Sequence, residues 1–310
     1  MSKKILVTGG AGFIGSNLVK HLLKRGDEVL VVDDLSTGSL DNLRGIEGKV
    51  EFIKASSGDC LGFDQAKNLD GIFHLGMPSS SPLYKENHNL VGKAINDFIA
   101  ILDLAKRENC KLVYASTSSV YNGNPIPFKD DMAVFPKDFY SEARYFMERI
   151  AKLYFDLWQV KSIGLRFLSV YGPGEESKKN LANMVSQIFW WMRDDKQPIL
   201  YGNGEQTRDF VYVKDAVLAL CLSMDSKIEQ DIFNVGTGES HSLNEVTEIV
   251  NNVLRKNIKP AYLDNPVQNY VDLHLGDPTK AKNILGFQAQ YSLTQGIKEL
   301  FKHEKEQSHS

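Results

Sequence analysis

The sequence of 310 residues has few cysteines, no long apolar run and no marked surplus of either charge. Its three cysteines, Cys60, Cys110 and Cys221, are far apart, which argues against a disulfide framework or a Cys-x-x-Cys metal motif. No run of about 18 apolar residues is present, so a membrane-spanning helix is not expected. Lys and Arg number 36 against 39 Asp and Glu, and a net charge of −3 does not favour nucleic acid or an anionic membrane. We therefore expect no metal site, no nucleic-acid partner and no membrane partner.

The composition is that of a globular protein, with 42% hydrophobic and 24% charged residues. A chain of this length can form one large domain, or a main domain with a smaller one. The short apolar run near the N-terminus is interrupted by glycines and lacks a small-residue cleavage site, which argues against a signal peptide. The sequence thus predicts a cytoplasmic protein with a sizeable core.

Apolar runs alternate with amphipathic helical patterns up to about residue 170. The runs lie at 5–7, 29–32, 50–53, 71–75, 112–115 and 162–167, and the clearest helical patterns lie at 14–23, 91–105 and 140–158. Such alternation predicts βαβ units, and therefore an α/β fold with a Rossmann-type, doubly wound parallel sheet. The pattern is less regular over 171–310, which predicts a smaller α/β substrate lobe, with some segments returning to the main sheet.

A glycine-rich turn lies between the first predicted strand and the first predicted helix. Gly9 permits a tight turn, Gly12 lets a pyrophosphate approach the backbone, and Gly15 lets helix and strand pack closely. Phe13 and Ile14 complete the turn at the start of the helix, whose free N–H groups attract an anion. This context predicts a dinucleotide-binding domain over 1–170.

The end of the second predicted strand indicates which dinucleotide is bound. Asp33 stands there, and a carboxylate at this place accepts hydrogen bonds from the adenosine ribose diol and repels a 2′-phosphate. No arginine follows it, since the next residues are Asp34, Leu35 and Ser36. The sequence therefore predicts NAD rather than NADP as the cofactor.

Motifs in order along nearly the whole chain resemble those of the extended short-chain dehydrogenase/reductase superfamily. Within it the chain is most similar to NAD-dependent nucleotide-sugar epimerases of the UDP-glucose/galactose 4-epimerase type. The motifs are TGGAGFIG, VVDDLSTG, FHLG, STSSVY, VYGPG, GNGEQTRDFVYVKD and FNVGTG. The resemblance implies 4-epimerisation of a UDP-sugar or other nucleotide-sugar through a transient 4-keto intermediate. It also implies a homodimer built on two helices of each subunit, here near 91–109 and 140–158.

The same resemblance implies roles for individual residues. The implied catalytic residues are Thr117, Tyr140 and Arg144. The implied cofactor-binding residues beyond the turn and Asp33 are Asp59 beside the adenine, Asn89 near the phosphates and nicotinamide, Tyr140 and Arg144. The implied substrate-binding residues are Thr117, Tyr140, Ser169, Asn180, Leu181 and Arg208.

The chemistry of 4-epimerisation requires a base for a sugar hydroxyl. A free tyrosine titrates near pH ~10, which is too high for an effective base at neutrality. Arg144 follows Tyr140 by four residues, so both side chains lie on one helix face, and a cation there favours the phenolate. Thr117 can hydrogen-bond the same hydroxyl.

The chain departs from the family pattern at several positions. Arg144 stands where the family has lysine, and the exchange is not conservative because the guanidinium is larger and planar. Ser169 stands where asparagine is usual, and residues 266–269 lack an arginine often found there. These departures leave open a nucleotide-sugar-binding homologue with weak or no catalysis, and another NAD-dependent nucleotide-sugar oxidoreductase.

Residues that are missing after Thr117 count against related reactions. The 4,6-dehydratases that this chain resembles carry an Asp-Glu pair there, and UDP-glucuronate decarboxylases usually carry a glutamate at the place of Ser119, whereas this chain has Ser118 and Ser119. Heptose 6-epimerases look similar in the loop around Lys178, but they typically use NADP, which Asp33 disfavours. Elimination therefore favours 4-epimerisation.

Overall fold

The computed structural model describes residues 2–265 and 272–307. Strands in this part of the chain are β1 (Lys4–Thr8), β2 (Glu28–Val32), β3 (Glu51–Ile53), β4 (Gly71–His74), β5 (Lys111–Thr117), β6 (Ser162–Phe167), β7 (Ser169–Tyr171), β8 (Ile199–Tyr201), β9 (Thr207–Arg208), β10 (Phe210–Tyr212), β11 (Gln230–Val235), β12 (His241–Ser242) and β13 (Ala261–Leu263). Helices are α1 (Phe13–Arg25), α2 (Ser81–Glu86), α3 (Leu90–Glu108), α4 (Phe139–Trp158), α5 (Met184–Arg193), α6 (Val213–Asp225), α7 (Leu243–Leu254), α8 (Thr279–Leu285) and α9 (Leu293–Gln307).

Seven parallel strands form the central sheet, in the order β11-β6-β5-β4-β1-β2-β3. The order runs outward in both directions from the pair β1 and β4, which makes that pair the topological switch point. In open sheets of this kind, ligands bind beyond the carboxyl ends of the strands at the switch point. The predicted doubly wound parallel sheet is confirmed.

Helices cover both faces of the sheet. Successive side chains of a strand point to opposite faces, and the central strands are apolar on both, so each face is buried under helices. On one face, Ile5 and Val7 of β1 pack in one core cluster with Leu22 of α1. On the other face, Leu6 packs in a second cluster with Phe98 of α3. This burial fixes the strand ends, and with them the residues that follow each strand.

Local signals set the ends of the helices that frame the site. Asp138 caps α4, since its Oδ1 accepts the backbone N–H of Ser141 at 2.8 Å. Helix α1 ends at Gly26, whose φ of 94° lies in the left-handed region that glycine adopts without strain. The Asp138 cap starts α4 at the residue before Tyr140.

The part of the chain after residue 170, which we call the second lobe, contributes most members of a third core cluster and also contributes to the main sheet. A third core cluster joins Tyr171, Phe189, Phe210, Val246 and Ile297. Strand β11, in this part of the chain, pairs in parallel with β6 of the main sheet. The boundary at residue 170 itself stays a prediction.

The sequence pattern over 180–193 also predicts a helix, and this prediction is wrong in its first part. Residues Glu176–Leu181 form a 3-10 turn containing Lys179 at φ 51°, and α5 begins only at Met184. Asn183 causes the restart, because its side chain accepts the N–H of Val185 and caps α5.

The three cysteines are buried and unpaired. Among the described residues, no cluster of metal-ligating side chains occurs, and no helix is long and apolar enough to cross a membrane.

Candidate active site

A cleft of about 830 Å³ opens at the carboxyl ends of the central strands. Its lining includes Gly9 after β1, Asp33 after β2, Leu75 after β4, Thr117 at the end of β5 and Phe167 at the end of β6. The cleft thus lies at the switch point of the sheet. Eleven predicted residues line it: Gly9, Gly12, Phe13, Ile14, Gly15, Asp33, Thr117, Tyr140, Arg144, Ser169 and Arg208.

The glycine turn has the geometry of a phosphate cradle. A Cβ on Gly15 would lie 2.0 Å from the carbonyl oxygen of Gly9, and one on Gly9 would lie 2.6 Å from the backbone nitrogen of Gly76. Only glycine permits these approaches. Gly12 caps α1 without a side-chain hydrogen bond, so the helix N-terminus can receive an anion from the cleft.

Backbone N–H groups hold the carboxylate of Asp33 in the wall of the cleft. Its Oδ2 accepts the N–H of Ala11 at 2.9 Å and its Oδ1 accepts the N–H of Leu35 at 2.8 Å. Burial raises the pKa of Asp33, while these N–H donors act in the opposite direction. Together, the glycine turn and this oriented carboxylate fit a dinucleotide that ends in an adenosine ribose diol.

Thr117 and Tyr140 reach the cleft from β5 and α4. The Oγ1 of Thr117 accepts the backbone N–H of Ser119 at 3.1 Å, so its own O–H remains a donor for a ligand. The ring of Tyr140 meets the ring of Tyr84 edge-on, with 5.6 Å between centroids. The pair thus places a hydroxyl donor and a phenol in one cleft.

Arg144 lies against Tyr140 and is almost fully buried. Its Cζ is 5.1 Å from the centroid of the Tyr140 ring, and its Nη2 donates to the carbonyl of Pro78 at 2.8 Å. Its Nε is buried and has no hydrogen-bond partner among the described residues. A cation therefore contacts the phenol, as the spacing of four residues predicts.

Behind the cleft, buried charges tie α4 to the sheet. Ser116, which lines the cleft, donates to Glu148 Oε1 at 2.5 Å. Glu148 accepts two hydrogen bonds from Arg166, at 2.9 Å from Nε and 2.7 Å from Nη2. A bidentate pair of this kind is geometrically specific, so it orients α4 relative to the ends of β5 and β6.

Cations line the part of the cleft next to the second lobe. Lys178 reaches it from the 3-10 turn and pairs with Oε1 of the fully buried Glu175 at 3.2 Å. Burial raises the pKa of Glu175, with Lys178 acting in the opposite direction. Arg208 lines the same cleft from β9. Two cations here suit an anionic group such as a diphosphate.

Sequence reasoning missed His274, which also lines the cleft. The ring is nearly buried, its Nδ1 has no partner within the described part of the chain, and it packs edge-on against Phe128. Burial, followed by the charge of Arg208, lowers the pKa of His274 to about 3, so the imidazole is neutral at pH 7. A lone histidine far from any motif gives no sequence signal of such a place.

Four predicted residues do not line the cleft. Asp59 caps a 3-10 turn instead, because its Oδ2 accepts the backbone N–H of Ser56 at 3.1 Å. Asn89 is exposed at the start of α3, and Asn180 and Leu181 lie in the 3-10 turn before α5. Their assignments to cofactor and substrate stay predictions.

The cleft is also lined by Ser57, Lys93 and Asp97, which sequence reasoning did not select. The ammonium of Lys93 lies 2.6 Å from Oδ2 of Asp97. The expectation about residues 266–269 lies outside the described residues.

Comparison with known proteins agrees with this fold and site. The family model described as "NAD dependent epimerase/dehydratase family" matches residues 5–236. A Methanocaldococcus jannaschii protein whose proposed activity is UDP-glucose 4-epimerase is 32% identical, over 95% of this chain and 96% of its own. UDP-glucuronic acid decarboxylase 1 of Xenopus tropicalis is 30% identical, over 95% of this chain and 70% of its own.

Among solved structures, UDP-glucose 4-epimerase of Thermotoga maritima with UDP-glucose superposes with a TM-score of 0.91. It is 28% identical and covers 98% of this chain and 99% of its own. The chain is therefore an enzyme of the NAD-dependent epimerase/dehydratase family within the extended short-chain dehydrogenase/reductase superfamily, and its cofactor is NAD. The expectations about family and cofactor are confirmed.

Proposed function

We propose that this protein is a nucleotide-sugar 4-epimerase of the UDP-glucose/UDP-galactose type. The observation that carries the proposal is the pair of hydroxyls, Ser118 and Ser119, directly after Thr117. A reaction that eliminates water or carbon dioxide from the sugar is expected to use further acid or base groups at this place. Epimerisation needs only a group that moves one proton and a partner that moves one hydride.

The geometry around Thr117 supports this choice. Ser118 is buried and donates to the carbonyl of Phe167 at 2.8 Å, so its side chain is part of the scaffold. Asp138, a carboxylate that lines the cleft two residues before Tyr140, caps α4 and accepts hydrogen bonds from the N–H and O–H of Ser141. Such a carboxylate is already engaged, which disfavours a role for it in elimination.

The residues of this chain divide the work at the sugar in a simple way. Tyr140, in its phenolate form, takes the proton of the 4-hydroxyl and later returns it, and the Arg144 guanidinium packs against its ring. Thr117 donates its O–H to the same sugar oxygen and holds it in place. The glycine turn and Asp33 would hold NAD, which would supply the hydride chemistry at the sugar carbon. Arg208 and Lys178 hold the diphosphate while the sugar presents its other face.

A panel of sugar nucleotides tests the proposal. The NAD-loaded protein is incubated with UDP-, GDP- and dTDP-sugars, and products are resolved by chromatography. We expect UDP-glucose and UDP-galactose to interconvert, and Tyr140→Phe to abolish turnover while NAD stays bound. A decarboxylated or 6-deoxy product would overturn the proposal. If wild type and Tyr140→Phe are equally inert, a binding role becomes the better interpretation.

We also propose that the protein is a homodimer joined through the outer face of α4. The exposed apolar side chains on this helix are Phe146, Leu153, Leu157 and Trp158. Phe98 and Leu102 of α3, by contrast, are fully buried in the subunit core and are not available for a partner. Light scattering at micromolar concentration is expected to give twice the subunit mass, and Leu153→Asp to give the monomer. A wild-type monomer would contradict the assembly.

The cytoplasmic location stays a prediction.

A further inference from the structure

Tyr84 is a fully buried tyrosine that packs against Tyr140. It belongs to α2, and its ring meets that of Tyr140 edge-on at an interplanar angle of 62°. Its hydroxyl donates to the carbonyl of Pro78 at 3.3 Å. Burial raises the pKa of Tyr84, so the hydroxyl keeps its proton at neutral pH and acts as a donor.

Arg144 uses the same carbonyl oxygen. Its Nη2 donates to Pro78 at 2.8 Å, while its Cζ lies 5.1 Å from the Tyr140 ring centroid. A carbonyl oxygen has two lone pairs, so Tyr84 and Arg144 together fill the acceptor. Tyr84 and Arg144 thus both donate to the Pro78 carbonyl in the wall of the cleft. Both side chains also contact the ring of Tyr140.

This arrangement leaves the buried Nε–H of Arg144 without a hydrogen-bond partner among the described residues. Within the described residues no carboxylate pairs with Arg144, and its buried Nε–H makes no hydrogen bond. An unpaired buried donor is costly unless a ligand accepts from it. Arg144 also lines the cleft, so a change in the orientation of its guanidinium alters the space that a bound cofactor or substrate fills.

We propose that Tyr84 is a positioning residue that adapts this site to an arginine in place of lysine. A lysine ammonium is a compact charge that needs no planar support, whereas a guanidinium must be oriented as a fork. The ring of Tyr84 supports Tyr140, and its hydroxyl holds the carbonyl to which the fork is anchored. The catalytic part of this inference rests on the proposed function, while the part that concerns NAD binding does not.

A double-mutant cycle tests the coupling between Tyr84 and Arg144. Tyr84→Phe and Tyr84→Leu are made alone and together with Arg144→Lys, and the Kd for NAD, kcat and KM are measured. Tyr154→Phe is the control, since its hydroxyl donates to Asp103 at 2.9 Å and its ring does not line the cleft.

We expect Tyr84→Leu to weaken NAD binding and to lower kcat by about tenfold each, with KM for the sugar nucleotide unchanged. Tyr84→Phe keeps the ring and loses a long hydrogen bond, so we expect changes of about threefold in the Kd for NAD and in kcat. In the Arg144→Lys background, each Tyr84 change should alter these two quantities by less than about twofold. The Tyr154→Phe control should stay within about twofold of wild type throughout.

Equal losses with and without Arg144→Lys would overturn the inference, because Tyr84 would then only fill space. Unchanged NAD binding and kcat in both Tyr84 variants would overturn it as well. If Tyr84→Leu does not fold, the Tyr84→Phe cycle decides. If wild type turns over no sugar nucleotide, the proposed function fails, and the cycle on the Kd for NAD still decides the role of Tyr84.

Discussion

At the scale of single residues, we propose that Asp33 determines which dinucleotide the cleft accepts. Two backbone N–H groups already orient its carboxylate, so we expect it to meet the ribose diol without rearrangement. Asp33→Asn removes the charge but keeps one acceptor. We predict that NAD binding weakens by about tenfold and that the preference for NAD over NADP falls by at least as much, measured by titration.

The neighbouring Asp34→Asn is the matched control. It removes the same charge from an exposed residue that also lines the cleft. Its effect on the preference is expected to be small because Asp34 accepts from its own turn, at Ser36. An equal effect of the two variants would show that general electrostatics, and not the position of Asp33, selects the cofactor.

The residue scale also shows why some assignments follow from the sequence and others do not. Gly9, Gly15 and Asp33 follow one another at fixed distances from a strand and a helix, so their place is readable. Asp59 is different, because an acid at this spacing can either face a ligand or cap its own turn, and here it caps. His274 reaches the cleft only through the return of a distant segment, for which the local sequence carries no signal.

At the scale of elements, the join of β1 to α1 is tightly constrained by backbone contacts. A Cβ on Gly15 would lie 2.0 Å from the Gly9 carbonyl oxygen, and both atoms belong to backbone that cannot easily shift. We predict that Gly15→Ala costs about 1–3 kcal/mol of unfolding free energy and abolishes NAD binding. Urea unfolding and a cofactor titration measure the two effects.

Gly92→Ala provides the control for a glycine in a helix. Gly92 lies in α3, and a Cβ there would meet no atom within 4 Å. Alanine is the better helix former, so we expect stability to stay equal or to rise by up to about 1 kcal/mol. If Gly15→Ala behaved like Gly92→Ala, the proposed close packing of turn and helix would be contradicted.

Elements with strong periodicity could be predicted from the sequence, and those shaped by long-range contacts could not. The pattern over 140–158 corresponds to α4, at Phe139–Trp158, because its buried face repeats at helical spacing. The break before α5 depends on the Asn183 cap, which competes with the helical pattern on both sides. That β11 pairs with β6 follows from packing across more than 60 residues of chain, which periodicity alone cannot show.

At the scale of the whole molecule, Asp130 makes the stability of the fold depend on pH. Its Oδ1 accepts the N–H of Asn234 in β11, and burial raises its pKa to about 6, although Lys280 and Arg166 act in the opposite direction. An unfolded aspartate titrates near pH ~3.9. Folding therefore favours the protonated form, and this contribution to stability is present below about pH 4 and lost as the pH rises to about 6.

Asp130→Asn removes this dependence while keeping an acceptor for Asn234. We predict that the variant gains unfolding free energy relative to wild type as the pH increases from 4 to 7, as measured by urea denaturation at several pH values. A difference between variant and wild type that stays constant, or that narrows, over this range would contradict the assignment.

The fold of the whole molecule gathers into one cleft the groups that the proposed epimerisation uses at a sugar carbon and its hydroxyl. The sheet brings the glycine turn, Asp33 and Thr117 to one edge, α4 adds Tyr140 and Arg144, and the second lobe contributes Arg208. We propose that a nucleotide-sugar loses and regains hydrogen at carbon 4 inside this cleft.

UDP-glucose carrying deuterium at carbon 4 tests that claim most directly. The NAD-loaded protein is incubated with the labelled sugar nucleotide, and the product is analysed by mass spectrometry and NMR. We predict UDP-galactose that retains deuterium at carbon 4, with no accumulation of free NADH. A product without deuterium, or release of NADH in proportion to the sugar oxidised, would contradict the account.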